Sequence, residues 1–342
     1  MVLSSVFALY TQFVVFSEEK SPIILDNNRL MRASDDSQTD ENIRRSAAEQ
    51  LRRELHEIPK AVVSVRKFGA VGDGIHDDSD AIDRATMGLL NGGILVFPPG
   101  TYIQTRSIRV RSSDVILWGF GALLHGSTPD NHAIIIEGDR SSVIGLRLTA
   151  VQTERMAGWN QHRIVFLGDG NQAVANVIDG AAASGIYMEG ARHFRVDGNT
   201  VRNTLSDGIH ATNGSQSGLI THNIVRATGD DLIAVVSYRN QHLASDILIA
   251  KNDVAGNPWG RGVAVVGARD VTISDNVIRN VAAGAGVYIA REAFWKTYGT
   301  FNVVIKNNTI EHVQTRGEVL GGRPRNKQGA LEVFAEDRKS VV

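Results

Sequence analysis

Between Gly185 and Leu331 apolar and polar positions alternate in short runs, and one run keeps returning. It reads GIYM from Gly185, GIHA from Gly208, LIAV from Leu232, GVAV from Gly262 and GVYI from Gly286. The starts lie 23, 24, 30 and 24 residues apart. Each is followed by a second alternating run that reaches Asn, at Asn199, Asn223, Asn252, Asn276 and Asn308. Alternation with period two marks half-buried strands, and a unit this short cannot bury its apolar face without neighbours. The pattern therefore predicts stacked units of strand, turn, strand, turn: a β-solenoid. Equivalent residues on successive coils then stand about 5 Å apart, so sequence distance becomes height along a column. The recurring Asn is expected at a tight corner, in left-handed backbone, with its amides stacked as a ladder.

The chain outside the repeats reads differently. Residues 1–17 are apolar but too short to span a bilayer, and predict a secretory signal peptide; the alternative is a disordered start, since no Lys or Arg stands near Met1. Residues 18–60 change abruptly to interleaved acids and bases, which predicts a charged linker or solvated helix. A parallel-stranded catalytic domain is expected over 61–342, secreted or periplasmic. Among 342 residues there is no Cys, which excludes disulfides and thiolate metal sites. A net charge of −1 without a basic block excludes a nucleic-acid partner, and no segment reads as transmembrane.

The first part of the solenoid runs VSVRKFGAVGDGIHDDSDAIDRATMGLLNGGILVFPPGTY. It predicts a strand over 63–68, turns over 69–74 and a helix over 79–90, with Asp77, Asp78 and Asp80 capping the helix and facing its dipole. This segment resembles the N-terminal signature of the pectate-lyase-like, right-handed parallel β-helix proteins, often labelled glycoside hydrolase family 28-related. The resemblance covers roughly residues 62–335. It implies an all-β, single-stranded right-handed parallel β-helix with a short N-terminal capping helix. It is specific for fold rather than for reaction.

Chemistry is expected where columns converge. The residues just before the repeating strands are Ser184, Asp207, Asp231, Arg261 and Ala285, and one place earlier stands Asp230. Stacking brings three carboxylates and a guanidinium to one corner. Of the strand residues, Tyr187, His210, Ala234, Ala264 and Tyr288 are expected to face outward, with the alanines forming a floor for a sugar ring. Glycoside cleavage needs one carboxylic acid to protonate the leaving oxygen and one carboxylate to activate water, and crowded like charges drive one pKa upward. Arg261 is placed to grip an acidic sugar or developing charge. The competing reading is that each Asp bonds backbone N–H groups at a turn.

The stretch SDGIHATNGSQSGLITHNIVRATGDDLIAV also resembles the polygalacturonase-type core of glycoside hydrolase family 28. The resemblance implies Asp230 as general acid, Asp207 and Asp231 as the residues that position and activate water, and inversion at the anomeric carbon. The family's Asn-Thr-Asp motif is here Asn203-Thr-Leu-Ser-Asp207, its Gly-His-Gly is Gly260-Arg261-Gly262, and its Arg-Ile-Lys is Tyr288-Ile289-Ala290. Both cations that hold galacturonate are thus replaced, and Arg261 and Arg291 are the candidates to stand in for them. Two long loops, SYRNQHLASD and REAFWKTYGTF, are expected to wall a cleft beside the acids with Tyr238, Arg239, Arg291, Glu292, Trp295 and Tyr298, or merely to cover the coil edge.

The sequence thus points to a glycoside hydrolase whose partner is a polysaccharide or oligosaccharide, acting as a monomer or homotrimer with no metal. One alternative is a lyase or uronate C5-epimerase, in which Arg261, Tyr288 or His210 takes a C5 proton and Ca²⁺ or a cation neutralises the carboxylate. The other is a non-catalytic glycan-binding solenoid.

Overall fold

The computed structural model describes residues 61–315 and 328–335, and the backbone of two further strands, Gln12–Phe16 and Pro22–Asp26. The chain divides into two units, Met1–Ala61 and Val62–Val342. In the first, the two strands pair antiparallel with Val14 opposite Ile24. The remainder of the expected signal peptide over 1–17, and of the charged linker or helix over 18–60, lies outside the described residues.

The second unit is a parallel β-helix. Each turn of the chain adds one strand to each of three parallel sheets, which hold nine, ten and ten strands. The five repeating runs stack in the register their alignment predicts: Ile186, Ile209, Ile233, Val263 and Val287 are direct partners. Below them the same column continues through Ile164, Ile134 and Ile108. These side chains are buried in one continuous core. At roughly 1.5–3 kcal/mol for each buried Ile or Val, this column is what makes one register better than the next.

Alternation predicts two strands per unit, whereas the structure has three. The second run breaks at its Asn, with Arg195–Asp197 and Thr200–Thr204 falling in different sheets on either side of Asn199. The expected ladder is present: the Asn199 backbone N–H and side-chain Nδ2 both donate to Asn223 Oδ1 at 3.0 Å, and Nδ2 also donates to the Ala173 carbonyl at 2.8 Å. The same links join Asn223 to Asn252, Asn252 to Asn276 and Asn276 to Asn308. Asn176 adds a rung below. The left-handed residue, however, is the one before each Asn: Gly198 at φ 65°, His222 at 55°, Lys251 at 57° and Asp275 at 57°. The Asn itself is not among the left-handed residues, and its amide is directed along the ladder.

At the N-terminal end, helix α1 (Ser79–Met87) lays Ala81, Ile82 and Ala85 on the core. The strand expected over 63–68 is a strand over Ala61–Ser64 followed by a 3₁₀ turn over Val65–Phe68. Of the predicted capping acids, Asp77 bonds the Ser79 N–H at 3.0 Å. Asp78 instead accepts from Val71 N–H at 2.6 Å, tying the glycine-rich loop to the helix start. Asp80 pairs with Arg106. Among the described residues, no helix is long and apolar enough to cross a membrane.

Candidate active site

Why glycine opens four of the five repeating runs is a matter of space. A Cβ on Gly262 would collide with the Ile278 side chain and the Gly286 carbonyl, and one on Gly208 would collide with Val225 and meet the Leu232 carbonyl at 2.6 Å. The chain turns into this sheet so tightly that the residue just before, in the Asp column, is thrown to the outer edge. Gly260 serves the same end, since a Cβ there would lie 2.6 Å from Asp231 N, against the Asp230–Asp231 peptide.

Asp207, Asp230 and Asp231 meet at that edge, each offering an oxygen within 4.8 Å of the others. Two of them also do the structural work that the competing reading assigns to turn acids. Asp207 Oδ1 accepts the Asp231 N–H at 3.0 Å, and Asp231 Oδ1 accepts the Arg261 N–H at 2.7 Å. The second oxygen of Asp207 is held by His210 Nδ1 at 2.7 Å. Asp230 bonds no backbone N–H of the coil above; its Oδ2 takes Arg155 at 2.8 Å. Its side chain is 23% exposed, against 10% for Asp207 and 7% for Asp231, so solvent reaches the cluster through Asp230.

The three environments pull the pKa values apart. Burial works against charge on Asp207, but His210, reinforced by Arg155 and the Asp231 N–H, outweighs it and holds the carboxyl below the usual range. Burial pushes Asp231 up to about 8 against the pull of Arg261, with Asp230 and Asp207 adding repulsion. Burial and the Asp207 charge also raise Asp230, against Arg155. His210 is raised, since Asp207 outweighs its desolvation. One carboxyl is thus lowered beside two that are raised, which is the polarity that acid–base chemistry requires.

Of the other predicted residues, some join the cluster. Arg261 is committed internally: it donates to Glu292 Oε1 at 3.0 Å, lies 3.6 Å from Asp231 Oδ1, and sits 4.4 Å above the Tyr288 ring. Tyr288 Oη donates to the same Glu292 oxygen at 3.1 Å. These bonds tie the Arg261 guanidinium to Glu292 and Tyr288, with a fifth of its side chain still exposed. Tyr238 reaches the acids closely enough that, after burial, Asp207, Glu292 and Asp230 each raise its hydroxyl pKa. Arg291 and Trp295 stand apart, lining a separate hollow with Arg239, Asn240 and Lys296. The expected alanine floor is closed: Ala234, Ala264 and Tyr288 are buried. Ala264 and Tyr288 belong to a small apolar cluster on the outer face of the sheet.

Sequence reasoning missed Arg155 and His162. Arg155 lies 75 residues before Asp230 in a loop without repeat pattern, and nothing in the sequence pairs them. His162 is the Asp column continued downward, since Ile164 pairs with Ile186. Its Nδ1 accepts the Ser184 N–H at 3.0 Å, and its ring stacks on Tyr187 with centroids 4.0 Å apart. Extending the column alignment by one coil would have found it.

Comparison with known proteins places this geometry among others. The family model for a right handed beta helix region matches residues 162–328, the coils that carry the acids. The catalytic unit of a thermostable GH87 α-1,3-glucanase from Streptomyces thermodiastaticus superposes with a TM-score of 0.65 at 20% identity, over 81% of this chain and 54% of that one. A family 28 exopolygalacturonase from Yersinia enterocolitica gives 0.51 at 15% identity, over 80% and 70%. The plasmin and fibronectin-binding protein A of Streptococcus pneumoniae is 40% identical over 85 residues, which are 23% of this chain and 12% of that protein. The chain therefore spans about half of the glucanase unit and a small part of the binding protein. Three parallel sheets, a matched family model over the repeats and likenesses across four fifths of its length make this chain a right-handed parallel β-helix protein.

Proposed function

We propose that this protein cleaves glycosidic bonds in a polysaccharide, with the Asp207, Asp230 and Asp231 cluster as its catalytic centre. The observation that carries the reading is the opposed pKa shifts of acids within 4.8 Å of one another, one lowered and two raised. Asp230, the most exposed of the three and raised by burial and the Asp207 charge, is the general acid for the leaving oxygen. Asp207, kept ionised by His210, takes the proton of the attacking water. Asp231 carries a proton between them and limits the net charge of the site. Inverting enzymes ordinarily hold their two carboxyls about 6.5–9.5 Å apart and retaining ones about 5–5.5 Å. The short separations here therefore do not themselves call for inversion, which is the outcome that the resemblance to family 28 implies; the anomer of the first product decides it. The structural likeness to two proteins named as a glucanase and an exopolygalacturonase supports this reading.

Digestion of a glycan library tests it, read by new reducing ends, by mass and by ultraviolet absorbance. Wild type should release saturated oligosaccharides, and Asp230→Asn should lower turnover by about 10²–10⁴-fold, the usual worth of a positioned acid. Products that absorb in the ultraviolet would instead identify a lyase. A second reading, a binding solenoid without turnover, is favoured by the 40% identity to a protein named for binding plasmin and fibronectin. It prevails if wild type turns over no glycan while the triple Asp→Asn variant still binds one.

A further inference from the structure

Two coils below the acid cluster the repeat departs from its own pattern. The position just before each inward Ile or Val holds Gly185, Gly208, Leu232, Gly262 and Gly286 in the later coils, but Arg163 before Ile164. The backbone ladder runs through it without a slip. Ile134 N–H donates to the Arg163 carbonyl at 2.9 Å, and Ile164 N–H donates to the Gly185 carbonyl at 3.0 Å. An arginine thus stands where the chain turns inward, and its side chain is the largest fully buried one among the described residues.

Every partner of this guanidinium is neutral. Arg163 Nη1 donates to the His132 carbonyl and, at 2.9 Å, to His132 Nδ1, while Nη2 reaches the Leu124 carbonyl at 3.4 Å. Among the described residues no carboxylate pairs with it. Burial alone lowers its pKa, to about 9, so it stays charged near neutrality. The imidazoles beside it carry no compensating charge: burial and the Arg163 charge hold His125 below its ordinary value and bring His132 down to about 3. A buried cation without a counter-charge is among the costlier things a fold can hold. Three atoms here are also buried without a hydrogen-bond partner: Arg163 Nε, His132 Nε2 and Gln104 Oε1. Because His132 Nδ1 accepts from Arg163, its Nε2 carries the ring proton, so two of the three are donors that lack an acceptor. Direct contacts gather these groups into one corner. Gln104 Nε2 donates to the Ala133 carbonyl at 3.1 Å, and a Cβ on Gly126 would stand 2.5 Å from His132 Cβ and 3.1 Å from Arg163 Nη1.

We propose that this corner holds a small monovalent anion of the halide class, chloride above all, against Arg163 Nε and His132 Nε2. Such an ion supplies the two things the corner needs, an acceptor for both donors and a negative charge for the guanidinium. A water alone would answer the hydrogen bonds and leave the charge unbalanced. Gln104 Oε1, itself an acceptor, takes a water rather than the ion. Arg163, His132 and Gln104 are each 0% exposed, so the ion exchanges only when the corner opens locally. Its effect is on stability, because an ion bound to the folded chain alone favours folding by mass action. The site is independent of the glycan reading and stands with or without it.

The test is thermal unfolding of the full chain in sodium chloride, sodium bromide and sodium gluconate, exchanged for one another at one ionic strength. Gluconate is too large for the corner. Replacing it with about 200 mM chloride or bromide should raise the wild-type melting temperature by at least about 3 °C. Arg163→Met, with its fold checked by circular dichroism, should melt at one temperature in all three salts. Crystals grown in bromide and measured at its absorption edge give a second reading that needs no variant: an anomalous peak beside Arg163 Nε. Melting that ignores the halide overturns the proposal. So does an equal halide response in Arg163→Met, which would put the ion elsewhere, and so does a peak at Arg163 without anomalous signal, which would be water. An anomalous peak with no halide effect on melting marks an adventitious ion only. Glycan turnover enters none of these readings, so the hydrolase can fail while the ion site stands, and the reverse.

Discussion

Asp231 shows how one buried carboxyl ties stability to pH. Its pKa of about 8 in the folded protein stands above the ordinary 3.8 that it regains on unfolding. Between these values the folded protein holds a proton that the unfolded chain has lost, so its contribution is full below the lower value and disappears as pH rises through the upper one. Asp207 runs the opposite way: its lowered pKa stabilises the fold above the ordinary value and loses that contribution as pH falls. Asp231→Asn removes the first term while keeping an oxygen for the Arg261 N–H. Its melting temperature relative to wild type should therefore climb between pH 5 and pH 8.5 by at least about 2 °C, and a flat difference would show that Asp231 is not the titrating group. Arg155 offers a kinetic counterpart. Because its charge lowers the Asp230 pKa, Arg155→Gln should move the alkaline limb of the pH–rate profile to higher pH if Asp230 is the acid. An unmoved limb would assign the proton to another carboxyl. The three acids could be found in the sequence because they share one column with the repeat; Arg155 could not, because a loop without periodicity has no register to align.

At the scale of the element, the Asn ladder and the glycine that opens the runs make the coils stackable. Asn223 sits mid-ladder, fully buried, with Nδ2 donating to Asn252 Oδ1 and to the Val196 carbonyl at 2.9 Å each, and its own oxygen accepting from Asn199. Asn223→Ala leaves the neighbouring rungs unpaired and should cost about 2–3 kcal/mol in urea unfolding. Asn308→Ala, at the half-buried end of the ladder, should cost less than half as much; equal losses would mean that the rungs act locally rather than as a chain. Gly262→Ala should cost comparably to Asn223→Ala, since its Cβ has no space. The strands and the Asn spacing stand out in the sequence because alternation and period are local properties. The third strand of each coil does not, since the break at the Asn corner leaves the alternation on its two sides looking continuous. Nor does the loop-tying role of Asp78, which depends on Val71 being brought beside the helix start.

At the scale of the molecule, strand pairing along the described β-helix joins each coil to its two neighbours, with few longer links such as Arg155 to Asp230, so stability is close to a sum over neighbours and the end coils are the weakest. The last described coil, with strands Phe301–Lys306 and Thr309–Val313, leaves alternate residues exposed where central strands are buried. Amide exchange should therefore be fastest there and slowest around Ile209, Ile233 and Val263, and uniform protection along the axis would contradict the nearest-neighbour picture. The sequence by itself determined the solenoid, its register and the convergence of Asp207, Asp230 and Asp231, because a period near 24 residues admits one stacking that buries every inward Ile and Val. Only the tertiary structure decided which carboxyl is lowered and which are raised, that Arg261 pairs with Glu292, that Ala234 and Ala264 lie covered, and that Arg291 and Trp295 gather around a hollow of their own. Those outcomes depend on where two irregular loops come to rest, and loop side chains follow packing and charge across the fold rather than any pattern along the chain.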